Sequence, residues 1–372
     1  MALSKELPLS TLSAIVHPTN PITTTISTVP LPESLAPNEV LIKVEACASN
    51  PKDWLHLVAT GTSLNSGDDL AGVVFAAGAA VTRFKSGDRV AAFHPMGKPY
   101  GAYAEYAIAP EHTTLLIPDT MSFEEAGTVP LVSLTAALTL FRRQGYTAPW
   151  QSDAQERNQR RPLLVYAATT SLGTYAIKLA KLAGIGPIVA IGGGNSDHVK
   201  RLLKSPQDVF LDYRTGMDSL KENVKYLAEE RHLQLQNGID AFSEHESWVH
   251  VSQMIQGVSR LSVFSGARKY DEEAIPKDVD IIYTFVGTAH EGRYRPSMPK
   301  QPSVEDAQGD VEFAGEFFVW LEEVLKQGKY SCHPFEVIPG GLNGVSEGLN
   351  RLRKGQAGGK KLVYQIGSLV RD

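Results

Sequence analysis

Cysteine is nearly absent from this chain. Cys47 and Cys332 are the only two in 372 residues, stand in separate regions and form no CxxC pair. That excludes both a disulfide framework and a cysteine-rich zinc lobe, and the two are read as small core or half-buried thiols. No run of Lys and Arg is long enough to track phosphates, and the formal charge is −5, so a nucleic-acid surface is excluded. No segment reaches the ~18 apolar residues of a membrane span. The start, MALSKELPLSTLSAIV, lacks a basic region followed by a long apolar core. The expectation is a cytoplasmic protein that touches neither membrane nor nucleic acid.

What is present is ordinary for a soluble globular enzyme: 42% hydrophobic and 21% charged residues. At 372 residues the chain is long for one core, and two domains are expected.

The chain is organised around Leu163–Ala183, LLVYAATTSLGTYAIKLAKLA. Leu163, Leu164 and Val165 form an apolar β run, and Ile177, Leu179, Ala180 and Ala183 recur at helical spacing. Between them lies a turn of small and hydroxyl residues, Ala167–Gly173. A strand, a tight turn and a helix bring free backbone N–H groups and the positive end of a helix dipole to one point, which suits the pyrophosphate of a dinucleotide. The turn departs from G-x-G-x-x-G, because only the last glycine, Gly173, is kept. Thr169, Thr170 and Ser171 fill the middle, with Leu172 beside them, and their hydroxyls are expected to donate to phosphate oxygens.

Before this stretch, residues 12–49 alternate strand-like runs with Pro-rich turns, and Val40, Ile42 and Val44 keep a period of two. NPKDW, GDDLAGVV, GDRVA and GAYAEY follow. Short strands with Gly-Asp turns predict a partly barrelled β domain over roughly residues 1–130. A polar insert, Gln151–Arg161, reads as a solvated loop. Beyond it six strands alternate with helices at 173–183, 196–204, 217–231 and 247–257, the pattern of a doubly wound Rossmann domain. SRLSVFSG, residues 259–266, is either an edge strand for pairing copies or a buried one. The second strand ends in Gly192-Gly193-Gly194-Asn195-Ser196 and offers no acid for a ribose 2′-hydroxyl. That leaves room for a 2′-phosphate among Asn195, Ser196, Lys200 and Asp212-Tyr213-Arg214, and favours NADPH over NADH.

VLIKVEACASNPKDW, GDDLAGVV, GDRVA, GAYAEY, VPLVSLTAALTLF and the C-terminal GGLNGVSEGLNRLRKGQAGGKKLVYQI occur in this order. Together they resemble the medium-chain dehydrogenase/reductase superfamily over nearly the whole chain. The nearest branch is the zinc-independent fungal one of quinone-oxidoreductase-like proteins and trans-acting polyketide enoyl reductases. The resemblance implies an α/β fold: a GroES-like domain from residues 1–133 and 300–372, and a Rossmann cofactor domain from 134–299. The positions of two zinc ligands in metal-dependent members match Asn50 and Asp68. Catalytic zinc needs three protein ligands around an open site, which these residues do not supply, so metal-free hydride chemistry is implied. In relatives a tyrosine at the Tyr213 position lies near the adenosine, Thr135 sits against the nicotinamide, and the backbone matching Val286-Gly287-Thr288 contacts the carboxamide.

The implied activity is hydride transfer from NADPH to an activated alkene (an enone or enoyl thioester) or to a quinone, in fungal secondary metabolism, by orientation and hydrogen bonding. Some trans-acting enoyl reductases carry a lysine two residues after the Asp of N-P-x-D, and here that position is Leu55. The proton donor is therefore open among Lys52, His56, His94 and Tyr100, with His94 first because it follows the GDRVAAF strand. Asn50 joins the catalytic candidates, and Pro51 of the same turn the cofactor contacts. Phe317 and Phe318, on a helix over Glu312–Lys326, are expected to wall the substrate pocket. A small or carrier-bound substrate, a polyketide synthase partner, and a monomeric or homodimeric state are the partner expectations. The alternatives are a non-redox isomerase or cyclase on the same fold, and a non-catalytic nucleotide-binding partner of a synthase.

Overall fold

The computed structural model describes residues 8–266, 268–291 and 304–367. By contact the chain divides into two units, Met1–Leu131 with Glu312–Asp372, and Val132–Val311. The 299/300 boundary expected from sequence lies outside the described residues.

In the first unit β1 (Ser10–His17) and β2 (Thr23–Pro30) pair as an antiparallel hairpin. Then come β3 (Glu39–Ala48), α1 (Lys52–Thr60), β4 (Asp69–Ala77), β5 (Arg89–Phe93), β6 (Tyr106–Pro110), β7 (Thr114–Leu116) and a short α2 (Phe123–Ala126). The period-two residues Val40, Ile42 and Val44 all face one large core with Val74, Val90, Leu362 and Tyr364. Leu41, pointing the other way, packs with Leu31 and Ile108 in a second cluster. β3 is therefore covered on both faces, with each large apolar side chain contributing about 1.5–3 kcal/mol.

The second unit opens with α3 (Pro130–Ala137), which runs into a π-helical turn over Leu138–Arg143. The polar insert contains a helix, α4 (Ala154–Asn158), and is only partly the solvated loop expected. Its Glu156 and Arg157 are exposed, but Asn158 is fully buried and donates to the Thr147 and Ala183 carbonyls. There follow β8 (Leu163–Tyr166), α5 (Ser171–Leu182), β9 (Ile188–Gly192), α6 (Asp197–Lys200) and β10 (Val209–Asp212). Next are α7 (Met217–Glu230), β11 (Asn237–Asp240), α8 (Ser247–Ser252), β12 (Ser259–Val263), β13 (Val279–Tyr283) and α9 (Thr288–Glu291). The helices expected at 196–204 and 247–257 are shorter, the second giving way to turns before Gly257 with its φ of +60°.

β8–β13 form a parallel sheet in the order β10-β9-β8-β11-β12-β13. β8 and β9 are apolar without alternation because helices cover both sheet faces: Leu163, Leu164, Val165, Ile188, Val189, Ala190 and Ile191 are all fully buried. Leu220, Val224, Leu227 and Ala228 make the inward stripe of α7. β12 is interior, between β11 and β13, so the edge-strand alternative for 259–266 does not hold. The strand order reverses between β8 and β11, and the turn after β8 lies at that switch point.

The chain returns to the first unit along α10 (Val304–Lys326), then adds β14 (Phe335–Val337), α11 (Val345–Arg353) and β15 (Lys361–Gln365). The completed sheet runs β14-β15-β3-β4-β5-β7, with β6 also on β3. Phe317 and Phe318 are fully buried, with ring centroids 5.9 Å apart, and Phe317 also meets Phe313 at 6.4 Å and Trp320 at 6.1 Å. They are core aromatics with no surface left to offer a ligand, which corrects the pocket-wall expectation.

Candidate active site

The end of β3, the start of β4 and the start of β15 meet because Ala48 pairs with Asp69 on one side and Val363 on the other. This register gathers charge. Lys361 Nζ donates to Asp69 at 2.7 Å, to Asn50 Oδ1 at 2.5 Å and to the Ser49 carbonyl at 3.3 Å. Asn50 Nδ2 donates to Asp69 at 2.9 Å, and the Leu131 amide donates to its other oxygen at 2.8 Å. Asp53 accepts from Tyr103 Oη at 2.6 Å and from the Asn50 amide at 2.8 Å. Ser49 Oγ bridges Tyr103 at 2.8 Å and Tyr364 at 2.6 Å.

Lys52, the first residue of α1, closes the cluster. Its ammonium pairs with Asp68, with Asp53 at 2.8 Å and with the Ser66 carbonyl at 2.7 Å. Burial pulls the Lys52 pKa down, but Asp53 and Asp68 outweigh it and the pKa is raised. Burial pushes Asp68 up to about 7 against the pull of Lys52. Cys47 is buried beside this cluster, and burial, with Asp53 and Asp69, holds its thiol well above the usual range. It is an inert core thiol.

The other expected proton donors are placed elsewhere. His94 is buried with Nδ1 at 2.7 Å from the Ile108 carbonyl and Nε2 at 3.1 Å from that of Lys98. Burial lowers its pKa to about 4 although both carbonyls pull upward. Each ring nitrogen faces a backbone carbonyl, and the neutral ring donates its single N–H to one of them; it braces a loop, which corrects its first rank. Tyr100 has a φ of +68° and packs on the Leu31–Leu41–Ile108 cluster. His56 and Leu55 are exposed on α1, and Pro51 is exposed at its N-cap.

In the second unit the turn after β8 is shaped by Ala167, with a φ of +55°, and by Thr170, the N-cap of α5. Thr170 Oγ1 donates to the Ala167 carbonyl at 2.8 Å and accepts from the Gly173 amide at 3.1 Å. That hydroxyl is spent on the helix cap, so Thr170 and the Gly173 amide are not phosphate donors as expected. The helix leaves the Ser171 and Leu172 amides at its positive end, with Thr169 and Ser171 half-buried beside them. Gly173 is required by proximity: a Cβ there would lie 2.6 Å from the Ala167 carbonyl oxygen and 2.7 Å from Ala168 Cα.

The Tyr213 ring lies close against Gly193, just after β9, where a Cβ would meet it at 2.7 Å. Asn195 has a φ of +56°, Ser196 is buried, and the exposed Lys200 lies 5.1 Å from the Phe210 ring. Arg214 is engaged with Asp212, and this holds the carboxyl at about 2. Thr174 Oγ1 lies 3.1 Å from His198 Nε2, tying the start of α5 to α6, a contact not foreseen from sequence. Thr288 is buried, its hydroxyl 2.6 Å from Asp310, which also binds Arg143 and, at 3.2 Å, Arg142. Thr288 therefore serves as an anchor for the turn at Val286 and Gly287. Thr135 is buried in α3 and its carbonyl accepts from Thr139 Oγ1 at 2.7 Å.

A mixed β unit with helical additions and a six-stranded doubly wound unit together define the medium-chain dehydrogenase/reductase class of oxidoreductases. The alcohol dehydrogenase GroES-like domain family matches residues 36–119. The chain is 32% identical over 319 residues to the trans-enoyl reductase fsr4 of Gibberella fujikuroi, covering 85% of this chain and 87% of that one. A second trans-enoyl reductase of the same organism is 30% identical over 340 residues, covering 89% and 93%. Among solved structures the CurK enoyl reductase is similar in fold, with a TM-score of 0.70 at 17% identity over 96% of this chain and 99% of that one. The chain belongs to the trans-enoyl reductase family of the medium-chain superfamily.

Proposed function

We propose that this protein is an NADPH-dependent, zinc-independent enoyl reductase of fungal secondary metabolism, acting in the cytoplasm on an α,β-unsaturated thioester carried by a polyketide synthase. The observation that carries this reading is the chain-long similarity to trans-enoyl reductases. The turn after β8 fits a dinucleotide: the helix keeps its close approach at Gly173 and presents the Ser171 and Leu172 amides. Ser196, Lys200 and Tyr213 would hold the adenosine end, where residues 193–196 at the end of β9 offer no acid, and Thr135 with the Val286–Thr288 turn would hold the nicotinamide. The bound cofactor supplies a hydride. The protein's own share is to orient the alkene, stabilise the developing enolate, exclude water and deliver a proton. Metal-free chemistry is supported by Asp68, whose carboxylate grips the Lys52 ammonium.

The test is stopped-flow oxidation of NADPH and of NADH against a 2-enoyl thioester, an enone and a quinone. Faster turnover of NADPH with the thioester supports the reading. A preference for the quinone moves the protein to the quinone-reductase function, and tight NADPH binding without oxidation by any acceptor defeats a redox role.

A further inference from the structure

Five charged side chains form one network in the first unit: Asp53, Asp68, Asp69, Lys52 and Lys361. Four are sealed, with side-chain exposures of 0% for Asp53, 1% for Asp68, 0% for Asp69 and 3% for Lys361, whereas Lys52 is 22% exposed. Of the five, Lys52 is the one whose side chain reaches the surface. The ammonium is aimed by three acceptors, Asp53, Asp68 and the Ser66 carbonyl. Asp68 holds it through Oδ2 and keeps Oδ1 buried with no hydrogen-bond partner among the described residues. A carboxylate with one oxygen on the ammonium and the other vacant has a place to store a proton. Lys52 also stands three residues before Leu55 on α1, so the two share a helix face.

We propose that Lys52 is the general acid of this enzyme and Asp68 its positioning partner and proton store; this rests on the enoyl-reductase reading. The alkene gains one hydride, two electrons with their proton, at the β-carbon. The resulting enolate takes its second proton at the α-carbon from Lys52 Nζ, leaving a neutral amine. The N–H bond breaks as the α C–H bond forms, and Lys52 is recharged from Asp68 Oδ1 or from solvent. The nicotinamide is oxidised, the alkene is reduced, and charge balances over the cycle.

The experiment compares wild type, Lys52→Arg and Lys52→Gln in D2O with an α-methyl enoyl thioester and NADPH. It reads NADPH affinity by calorimetry, the rate of NADPH oxidation, and the face of the α-carbon that receives deuterium. Arginine keeps the charge but is a poor acid at any working pH, so it tests proton delivery in a network whose charge is unchanged. Expected for Lys52→Arg are unchanged NADPH affinity, a rate lower by about 10²–10⁴-fold, and deuterium on both faces where wild type places it on one. Wild-type rate with single-face deuteration in either variant overturns the proposal, and so does lost NADPH affinity, which would make Lys52 a cofactor contact. Wild type that oxidises no NADPH with the thioester defeats the enoyl-reductase reading first. Should the glutamine variant not fold, the arginine variant decides alone.

Discussion

Gly173→Ala isolates the close approach of α5 to the turn after β8. The added Cβ would lie 2.6 Å from the Ala167 carbonyl oxygen and 2.7 Å from Ala168 Cα, where ordinary contact begins at 3.4 Å. The helix start must retreat by about 0.8 Å (3.4 − 2.6), since both obstacles are backbone and cannot rotate aside. Helix propensity alone favours alanine by about 1 kcal/mol. Overpacking costs about 1–3 kcal/mol, and the retreat also stretches the Thr170 cap on the Gly173 amide, worth about 1 kcal/mol. The net expectation is a loss of about 1–3 kcal/mol in denaturant unfolding. NADPH affinity should fall at least tenfold by calorimetry, the equivalent of about 1.4 kcal/mol, because the Ser171 and Leu172 amides move with the helix. Gly194→Ala is the control: its nearest neighbour would be Arg214 Nη1 at 3.9 Å, so stability should not change. A Gly173→Ala protein as stable as wild type with unaltered NADPH affinity refutes both the packing argument and the phosphate site.

Two buried groups make opposite predictions about pH. His94, lowered to about 4 from 6.5, leaves the folded state short of a proton in that interval, so its contribution rises with pH. The stability of wild type minus His94→Gln should therefore climb between pH 4 and 6.5, by up to about 3 kcal/mol at 1.36 kcal/mol per pKa unit. Asp68, facing Lys52, Asp53 and Asp69 and raised from 3.8 to about 7, keeps an extra proton in the folded state. The curve of wild type minus Asp68→Asn should fall between pH 4 and 7, and equal signs in the two curves refute the assignments. Arg143→Met should cost about 3 kcal/mol or more in denaturant unfolding by leaving Asp310 buried without its main partner; a loss under about 1 kcal/mol argues against the anchor. Phe317→Ala should cost about 3–5 kcal/mol without altering preference among enoyl thioesters of different chain length. A changed preference at unchanged stability restores the pocket wall.

The apolar runs of β8 and β9, the alternation along β3 and the small-residue turn before α5 are local signals, and they were readable without the structure. The site was read less well, because its chemistry is assembled across distance. Nothing near Lys361 says that it meets Asp69 and Asn50, although a lysine opening the apolar run KLVYQ is one that needs a buried partner. The Asp53–Tyr103 contact, 50 residues apart in the chain, is illegible for the same reason. Thr170 shows two local rules in competition: a hydroxyl in a phosphate turn is equally a helix N-cap, and the cap prevails. His94 is not legible from sequence because backbone carbonyls of Lys98 and Ile108, which no side-chain motif records, close on its ring. Phe317 and Phe318 follow the ordinary preference of aromatics for the interior.

The position of Lys361 has a bearing on synthesis. As the ribosome works from the N-terminus, Asp69 and Asn50 emerge long before the cation that neutralises them, so residues 8–131 cannot settle their charged centre on their own. Residues 132–311 form a contiguous unit and are free to mature while the earlier stretch waits. A nascent chain stalled before residue 361 lacks both that cation and the β15 partner of β3, and limited proteolysis of such a chain is expected to cut within residues 8–131.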